Sequence, residues 1–452
     1  MSAQPTHRVA VVGSGIAGLG VAHQLRDSAR VTLFEAGDYF GGHTHTVDLT
    51  LDGVTHGVDT GFLVLNERTY PNLLRLFGEL GVELAKSDMS FSVQVPDADL
   101  EWSGASLDGV FAQRGNALDP RFWRMLADIA RFNRIATRIA SGAADAPPGD
   151  QPIGAFLESQ RFSAAFRDWY FLPMIGCIWS CPAAQMLRFP IATLIRFCHN
   201  HGLLQVTDRP QWYTVKGGAR RYVERMLQSI PDARLRTPVR GVRRLGAGSG
   251  VLIATDHGSE RFDAVVMACH SDQSLALLAD PTTAERDVLG AIHYHRNRAV
   301  LHTDTAVLPR RRKAWAAWNY ERGDTPAVLG GPAPVEATAE AGSVCLHYLI
   351  DRLQPLPFAQ PVIVSLNPLR EPAARRVHGE YDYAHPVFDT AAVAAQARIP
   401  ELQGIGHTWY CGAWTRYGFH EDGLSSALSV CASLEARLLV ADEDSSTARR
   451  AA

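Results

Sequence analysis

The chain has 452 residues, 46% of them hydrophobic and 20% charged, with a formal net charge of −3. That length suggests about three domain-sized units, or two interleaved ones, of a soluble globular protein, and the charge gives no global reason to bind nucleic acid. Seven scattered cysteines, an odd number, argue against a disulfide framework and fit a reducing compartment. The opening residues show no basic, apolar and small-residue succession, and FLPMIGCIW, among the longest apolar runs, is broken by Pro173. The expected location is therefore cytoplasmic, with peripheral contact to the inner face of a membrane left open.

The β-branched run Val9 to Val12 stops at Gly13-Ser14-Gly15-Ile16-Ala17-Gly18, after which Leu19, Ala22 and Leu25 recur at helical spacing. This is strand, glycine turn, helix. A second apolar run, Val31 to Phe34, ends in Glu35, where an acidic side chain would meet a ribose hydroxyl. Gly13 permits the tight turn, Gly15 lets the backbone approach a pyrophosphate, and Gly18 lets the helix pack on the strand. The helix N-terminus offers the phosphates N–H groups and the positive end of its dipole. A dinucleotide site follows, weighed against a glycine turn that binds nothing, and the motif leaves NAD and FAD both open.

Downstream, VDLTL and VTHGVDTGFLVL read as paired strands across Asp52-Gly53, and Asn66 to Gly81 as a helix. SFSVQV and LEWSG are strands away from the first parallel core. From Pro120 to Ala140 a helix places Phe122, Leu126, Ile129, Phe132, Ala136 and Ile139 on one side and five arginines largely on the other. Such a helix docks on anionic lipid or simply covers a core with a solvated face. GAADAPPGDQP is a loop, and helices follow through FSAAFRDWYFLPMI and ATLIRFCHNHGLL.

WYTV is a strand reaching Gly217-Gly218, where a helix begins. TPVRGVRRL and GVLIATD form a hairpin, RFDAVVMAC is a buried strand, and SDQSLALLA is a helix. HRNRAVLHTD, AWAAWNYE, SVCLHYLID and PVIVSLN form a second sheet, with TPAVLGGPAPVEATAEAG loop-like between them. TWYCGAW is a strand, and a final helix starting near Gly423 ends in a polar tail at 441–452. Nucleotide-type segments thus stand at the start, middle and end of the chain. We expect one cofactor domain from 1–80, 205–280 and 400–440, and a substrate domain from 81–204 and 281–399.

These residues resemble the flavin-containing amine oxidase superfamily, which includes protoporphyrinogen oxidases and carotenoid-type desaturases, and within it a subgroup of NAD/FAD-binding oxidoreductases. The resemblance is carried by GSGIAG with Glu35 and Ala36, then Gly41-Gly42, where the family commonly continues with Arg and this chain has His43. It continues in Asp59-Thr60-Gly61-Phe62, in Gly217-Gly218 with Pro238-Val239, and in Tyr410-Cys411-Gly412-Ala413 with Gly423. It implies an α/β fold: an FAD-binding Rossmann-like, doubly wound domain assembled from discontinuous segments. Beside it stands an α+β substrate domain with a mixed or antiparallel sheet and a helical insertion.

The resemblance implies FAD rather than NAD, with Gly61 and Phe62 passing the flavin, the Val239 backbone at the adenine and no metal. Where the family has Asp or Glu on the ribityl chain this chain has Ala413, so that contact must come from elsewhere. Trp414, Tyr417 and His420 match positions lining the flavin face, and the Glu421 backbone N–H matches the contact to the flavin C2 carbonyl. His420 is either proton-handling or substrate-positioning, or a hydrogen-bonded structural histidine.

The expected reaction is hydride transfer from a substrate C–H to flavin N5, with electrons passing to oxygen or another acceptor. The insertion from Phe162 to Leu204 is rich enough in Phe, Trp, Leu, Ile and Met to form a tunnel, although a helical core reads the same. A small hydrophobic, lipid-like or polyene substrate is preferred. An amine oxidase and a non-catalytic flavoprotein that binds lipid or a partner are the alternatives.

Overall fold

Strands Asp232–Arg234, Arg30–Phe34, Arg8–Val12, Ala264–Met267 and Thr408–Tyr410 lie side by side in that order, all parallel. Three distant parts of the chain thus build one sheet. The computed structural model describes residues 7–143, 146–149, 151–179, 183–205, 209–246, 248–323 and 344–451.

Alternation along the first strand explains why both faces are covered. Val9 and Val11 pack with helix Ile16–Gln24 and with Leu424, Ala427 and Leu434 of the last helix. Ala10 and Val12 pack on the other side against Val242, Ile253, Val288 and Ala392. That second layer includes an antiparallel sheet of Val239–Arg244, Val251–Thr255 and Gly258–Phe262.

A seven-stranded sheet stands beside this layer. Its order is Val377–Pro386, Tyr294–His302, Ile363–Leu366, Cys345–Leu349, Trp318–Glu321, Phe91–Val95 and Leu100–Ser103. It is mixed, because Trp318–Glu321 and Phe91–Val95 run parallel while the other neighbours are antiparallel. Helix Pro120–Ala140, the continuous helical run 164–179 and helix Ile191–Asn200 pack in the same core.

Several expectations change at their edges for identifiable reasons. Helix Pro71–Leu80 begins after Asn66, because the Asn66 side chain accepts from the Arg68 and Thr69 N–H groups and holds a turn there. The hairpin strands are Thr46–Leu51 and Val54–Asp59, and Asp52 and Gly53 take φ of 50° and 79° as a type I′ turn requires. The run read as one strand, RFDAVVMAC, divides at Asp263, whose carboxylate accepts from the Arg8 N–H at 2.7 Å, so its two halves join different sheets.

The final helix opens at His420 rather than Gly423 and runs through the tail to Ala451. Strand Val377–Pro386 and helices Thr283–Gly290 and Thr390–Arg398 escaped the sequence reading. The whole loop-like stretch TPAVLGGPAPVEATAEAG, and part of GAADAPPGDQP, lie outside the described residues. Among the described residues no helix is long and apolar enough to cross a membrane.

The seven-stranded sheet carries a buried polar row of Glu321, His347, Ser365 and His302. The Asp304 N–H donates to His302 Nδ1, which places the His302 proton on Nε2, facing Ser365 Oγ at 2.7 Å. Ser365 meets His347 Nδ1 at 2.7 Å, and His347 Nε2 meets the Glu321 carboxylate at 3.0 Å, so the row is closed by internal partners.

The first helix can lie on its strand only because Gly18 lacks a side chain. A Cβ there would stand 1.8 Å from the Gly13 carbonyl oxygen. Gly18→Ala should therefore destabilise the protein by at least about 2 kcal/mol in denaturant unfolding, because backbone rather than a flexible side chain has to move.

Candidate functional site

The C-terminal ends of strands Arg8–Val12, Arg30–Phe34, Ala264–Met267 and Thr408–Tyr410 open into one cavity of about 970 Å³. This is where a doubly wound sheet binds ligands. The cavity lies at the large end of the range for small-molecule sites.

At one end are the glycine turns. Gly13 takes φ of +100° and donates its N–H to the Phe34 carbonyl at 2.9 Å. Gly15 precedes helix Ile16–Gln24 with no side-chain cap, leaving the first-turn N–H groups to an anion. A Cβ on Gly15 would have nothing within 4 Å, whereas one on Gly42 would come within 3.1 Å of the Gly15 Cα. The two glycine backbones therefore form one shallow cradle with space above it. The Glu35 carboxylate accepts from the Ser14 N–H at 3.0 Å, the Ser14 hydroxyl at 2.5 Å and the Gly37 N–H at 2.8 Å. Ala36 and Val239 continue the wall beyond it.

In the middle, the segments carrying His43 and Gly61 cross closely, and a Gly61 Cβ would lie 2.1 Å from the His43 carbonyl oxygen. Phe62 and His420 stack with centroids 3.7 Å apart, and His420 Nε2 meets the Thr44 hydroxyl at 2.8 Å. Opposite, Gly412 takes φ of +155° and donates its N–H to Ser426 Oγ at 2.9 Å. The Trp414 indole N–H donates to the Cys269 carbonyl at 3.1 Å, and the Tyr417 carbonyl accepts from the Trp179 indole at 3.2 Å.

The structure thus brings Gly13, Ser14, Gly15, Ala17, Glu35, Ala36, Gly42, His43, Gly61, Phe62, Val239, Gly412, Ala413, Trp414, Tyr417 and His420 to one cavity. Gly18 lies behind the cradle. Glu421 turns its carboxylate away, accepting from the Asn72 and Leu73 N–H groups at 3.0 and 2.9 Å and so capping helix Pro71–Leu80.

Three further residues line the cavity that the sequence reading did not single out. His270 and His385 approach His43 with ring centroids 6.1 and 5.3 Å from it, and Tyr383 lies at 5.4 Å. His270 directly follows a parallel strand, a position that the rule for doubly wound sheets marks. His385 and Tyr383 sit on the strand the reading missed. Burial, reinforced by neighbouring imidazoles, pushes His43 and His270 down to about 4 and His385 and His420 down to about 3. All four rings are neutral near pH 7. The Asn297 amide meets His385 Nδ1 at 3.0 Å, placing the His385 proton on Nε2, while His43 Nε2 is buried without a partner.

The far end of the cavity is apolar, with Phe91, Met174, Ile178, Trp179, Phe197 and Trp212 on its walls. Among the described residues, Glu35 and Asp382 are the only carboxylates lining the cavity, and Glu35 stands at the glycine turns. The whole arrangement fits FAD. The open cradle takes a diphosphate, Glu35 stands at its side for a ribose, and a chamber continues beyond the crossing of His43 and Gly61.

Gly15 has φ of −62°, which any L-residue adopts, and space for a side chain. Gly15→Val should therefore keep the thermal midpoint of the apoprotein while purified protein loses its flavin absorbance, separating cofactor binding from folding. The histidines predict a pH effect of definite sign. Their folded pKa values lie below the unfolded value of about 6.5, so the unfolded chain binds more protons as pH falls. Stability is full above pH 6.5 and declines as pH drops toward about 4. His385→Asn should make that decline shallower in thermal unfolding at stepped pH.

A model of the family described as flavin containing amine oxidoreductase matches residues 16–352. No curated protein matches the chain. Among solved structures, cyclohexylamine oxidase from Brevibacterium oxydans IH-35A superposes with a TM-score of 0.68 at 16% identity, covering 96% of this chain and 100% of that one. A putrescine oxidase, solved with putrescine bound, gives 0.65 at 15% identity, covering 95% and 99%. A fatty acid isomerase from P. acnes, described as CLA-producing, gives 0.64 at 14% identity, covering 96% and 99%. At these identities the likeness is one of fold. The family match and the glycine cradle agree, and the chain belongs to the flavin containing amine oxidoreductase family as a flavin-dependent oxidoreductase that binds FAD.

Proposed function

We propose that this enzyme oxidises or desaturates a hydrophobic, lipid-like or polyene substrate held in the apolar chamber. The observation that carries the reading is the missing counter-ion. Among the described residues, the walls formed by Phe91, Met174, Ile178, Trp179, Phe197 and Trp212 include no carboxylate. An ammonium drawn into such a chamber would lose its hydration without an ionic partner. An apolar chain gains from the same desolvation.

Bound FAD supplies a hydride acceptor at N5, and electrons pass on to oxygen or another acceptor. The chain's own residues orient the substrate and exclude water. Phe62 and His420, stacked on each other, line the cavity together. His420, neutral and held by Thr44, positions without adding charge. The last helix opens at His420, so its N-terminal N–H groups and dipole favour negative charge at that side of the cavity. Ala413 offers no polar side chain and the Gly412 N–H is already donated to Ser426 Oγ, so the ribityl chain of bound FAD would be held by other groups.

Anaerobic titration distinguishes this from amine oxidation, the chemistry in the names of cyclohexylamine oxidase and putrescine oxidase. Acyl lipids or polyenes should bleach the flavin band while simple primary amines leave it oxidised. Bleaching by amines alone would overturn the assignment.

A further inference from the structure

Among the described residues, seven large hydrophobic side chains are exposed, and three of them fall between residues 107 and 123: Leu107 at 82%, Leu118 at 88% and Trp123 at 51%. Single exposed leucines are ordinary. These three belong to one edge, as their contacts show. Leu107 opens a helical turn that ends at Phe111, Phe111 meets Trp123 at 5.5 Å, and the Trp123 indole donates to the Ala117 carbonyl beside Leu118 at 2.9 Å.

Basic residues surround this edge. Asp108, next to Leu107, pairs with Arg114 at 2.7 Å and with Lys313 at 2.8 Å, which brings the run Arg310-Arg311-Arg312-Lys313 alongside. Stretches 99–128 and 310–313 carry seven Lys and Arg against five Asp and Glu. Two of those five, Glu101 and Asp128, are buried. Arg121 pairs with Asp119, Arg124 with Asp128 and Arg311 with Glu101, so Arg310 and Arg312 are the cations of this edge whose side chains have no carboxylate partner among the described residues.

The structure also moves the docking element from where the sequence placed it. Along the shaft of helix Pro120–Ala140 two of the arginines are engaged within the protein. Arg124 and Arg131 pair with buried Asp128, and Arg131 also lies over Phe162 and donates to the Gln160 carbonyl. Its first turn carries the one large exposed hydrophobic side chain of the helix, Trp123, beside Leu118.

We propose that this edge, residues 107–124 with 310–313, docks on the surface of an anionic phospholipid bilayer. Leu107, Leu118 and Trp123 enter the headgroup boundary and the surrounding Arg and Lys meet lipid phosphates, the combination that gives interfacial binding without a spanning helix. Beneath the edge, Arg121 lies over Trp169, and the same helical run continues to Met174, Ile178 and Trp179 on the cavity wall. The proposal rests on surface chemistry and holds whatever the substrate.

Flotation of the FAD-loaded protein with vesicles tests it. Binding to mixed phosphatidylglycerol and phosphatidylcholine vesicles is expected, with little to phosphatidylcholine alone and release as salt rises. Arg310→Ala with Arg312→Ala should weaken binding by about twentyfold, near fivefold per charge. Leu107→Ser with Leu118→Ser should weaken it at least about tenfold, leaving flavin content and thermal midpoint unchanged because both side chains are exposed. Failure to float with the anionic vesicles at low salt overturns the proposal, as does floating that ignores both double substitutions. Capture by an acidic protein in place of lipid also overturns it.

Discussion

Everything in the site is referred to the approach of two pieces of bare backbone. Gly13, Gly15 and Gly18 turn the chain from the first strand into the first helix, and Gly42 brings a second turn within van der Waals reach of Gly15. No side chain can stand between them. The cradle floor is therefore peptide, with its N–H groups available and its position set by the parallel sheet beneath. His43 follows directly from that contact, and through the crossing at Gly61 it determines where Phe62 and the His420 ring lie.

Beyond the cradle the cavity is dominated by desolvation. Among the described residues five histidines line it, His43, His201, His270, His385 and His420, and burial drives all of them to the neutral form. Where the resembling family carries an arginine, His43 contributes a neutral ring whose Nε2 has no hydrogen-bond partner among the described residues. Around His43 the cavity thus presents neutral rings, and its far end is apolar. A pocket of this kind orients by shape and by hydrogen bonds from neutral donors, and it strengthens any charge that forms inside it.

Much of this was legible in the sequence because it is local. Strand, glycine turn and helix occupy adjacent residues, and each glycine answers a steric demand set by its neighbours. The hairpin at Asp52-Gly53, helix Pro120–Ala140 and the return at Gly412 were readable for the same reason. Strand Val377–Pro386 was hidden because its residues alternate between intermediate and exposed, with little apolar pattern to mark it. Missing that strand meant missing Tyr383 and His385.

The sequence by itself determined the cofactor cradle, the discontinuous parallel sheet and the presence of a second sheet, mixed or antiparallel, since dihedral freedom at glycine and the period of apolar residues are properties of short segments. Only the tertiary structure decided which histidines share a cavity, that the Glu421 carboxylate caps a helix outside it, and which arginines of one helix are engaged in the protein. Burial and ion pairing depend on residues far away in the chain, such as His43 and His385, which meet only when the two sheets close on each other.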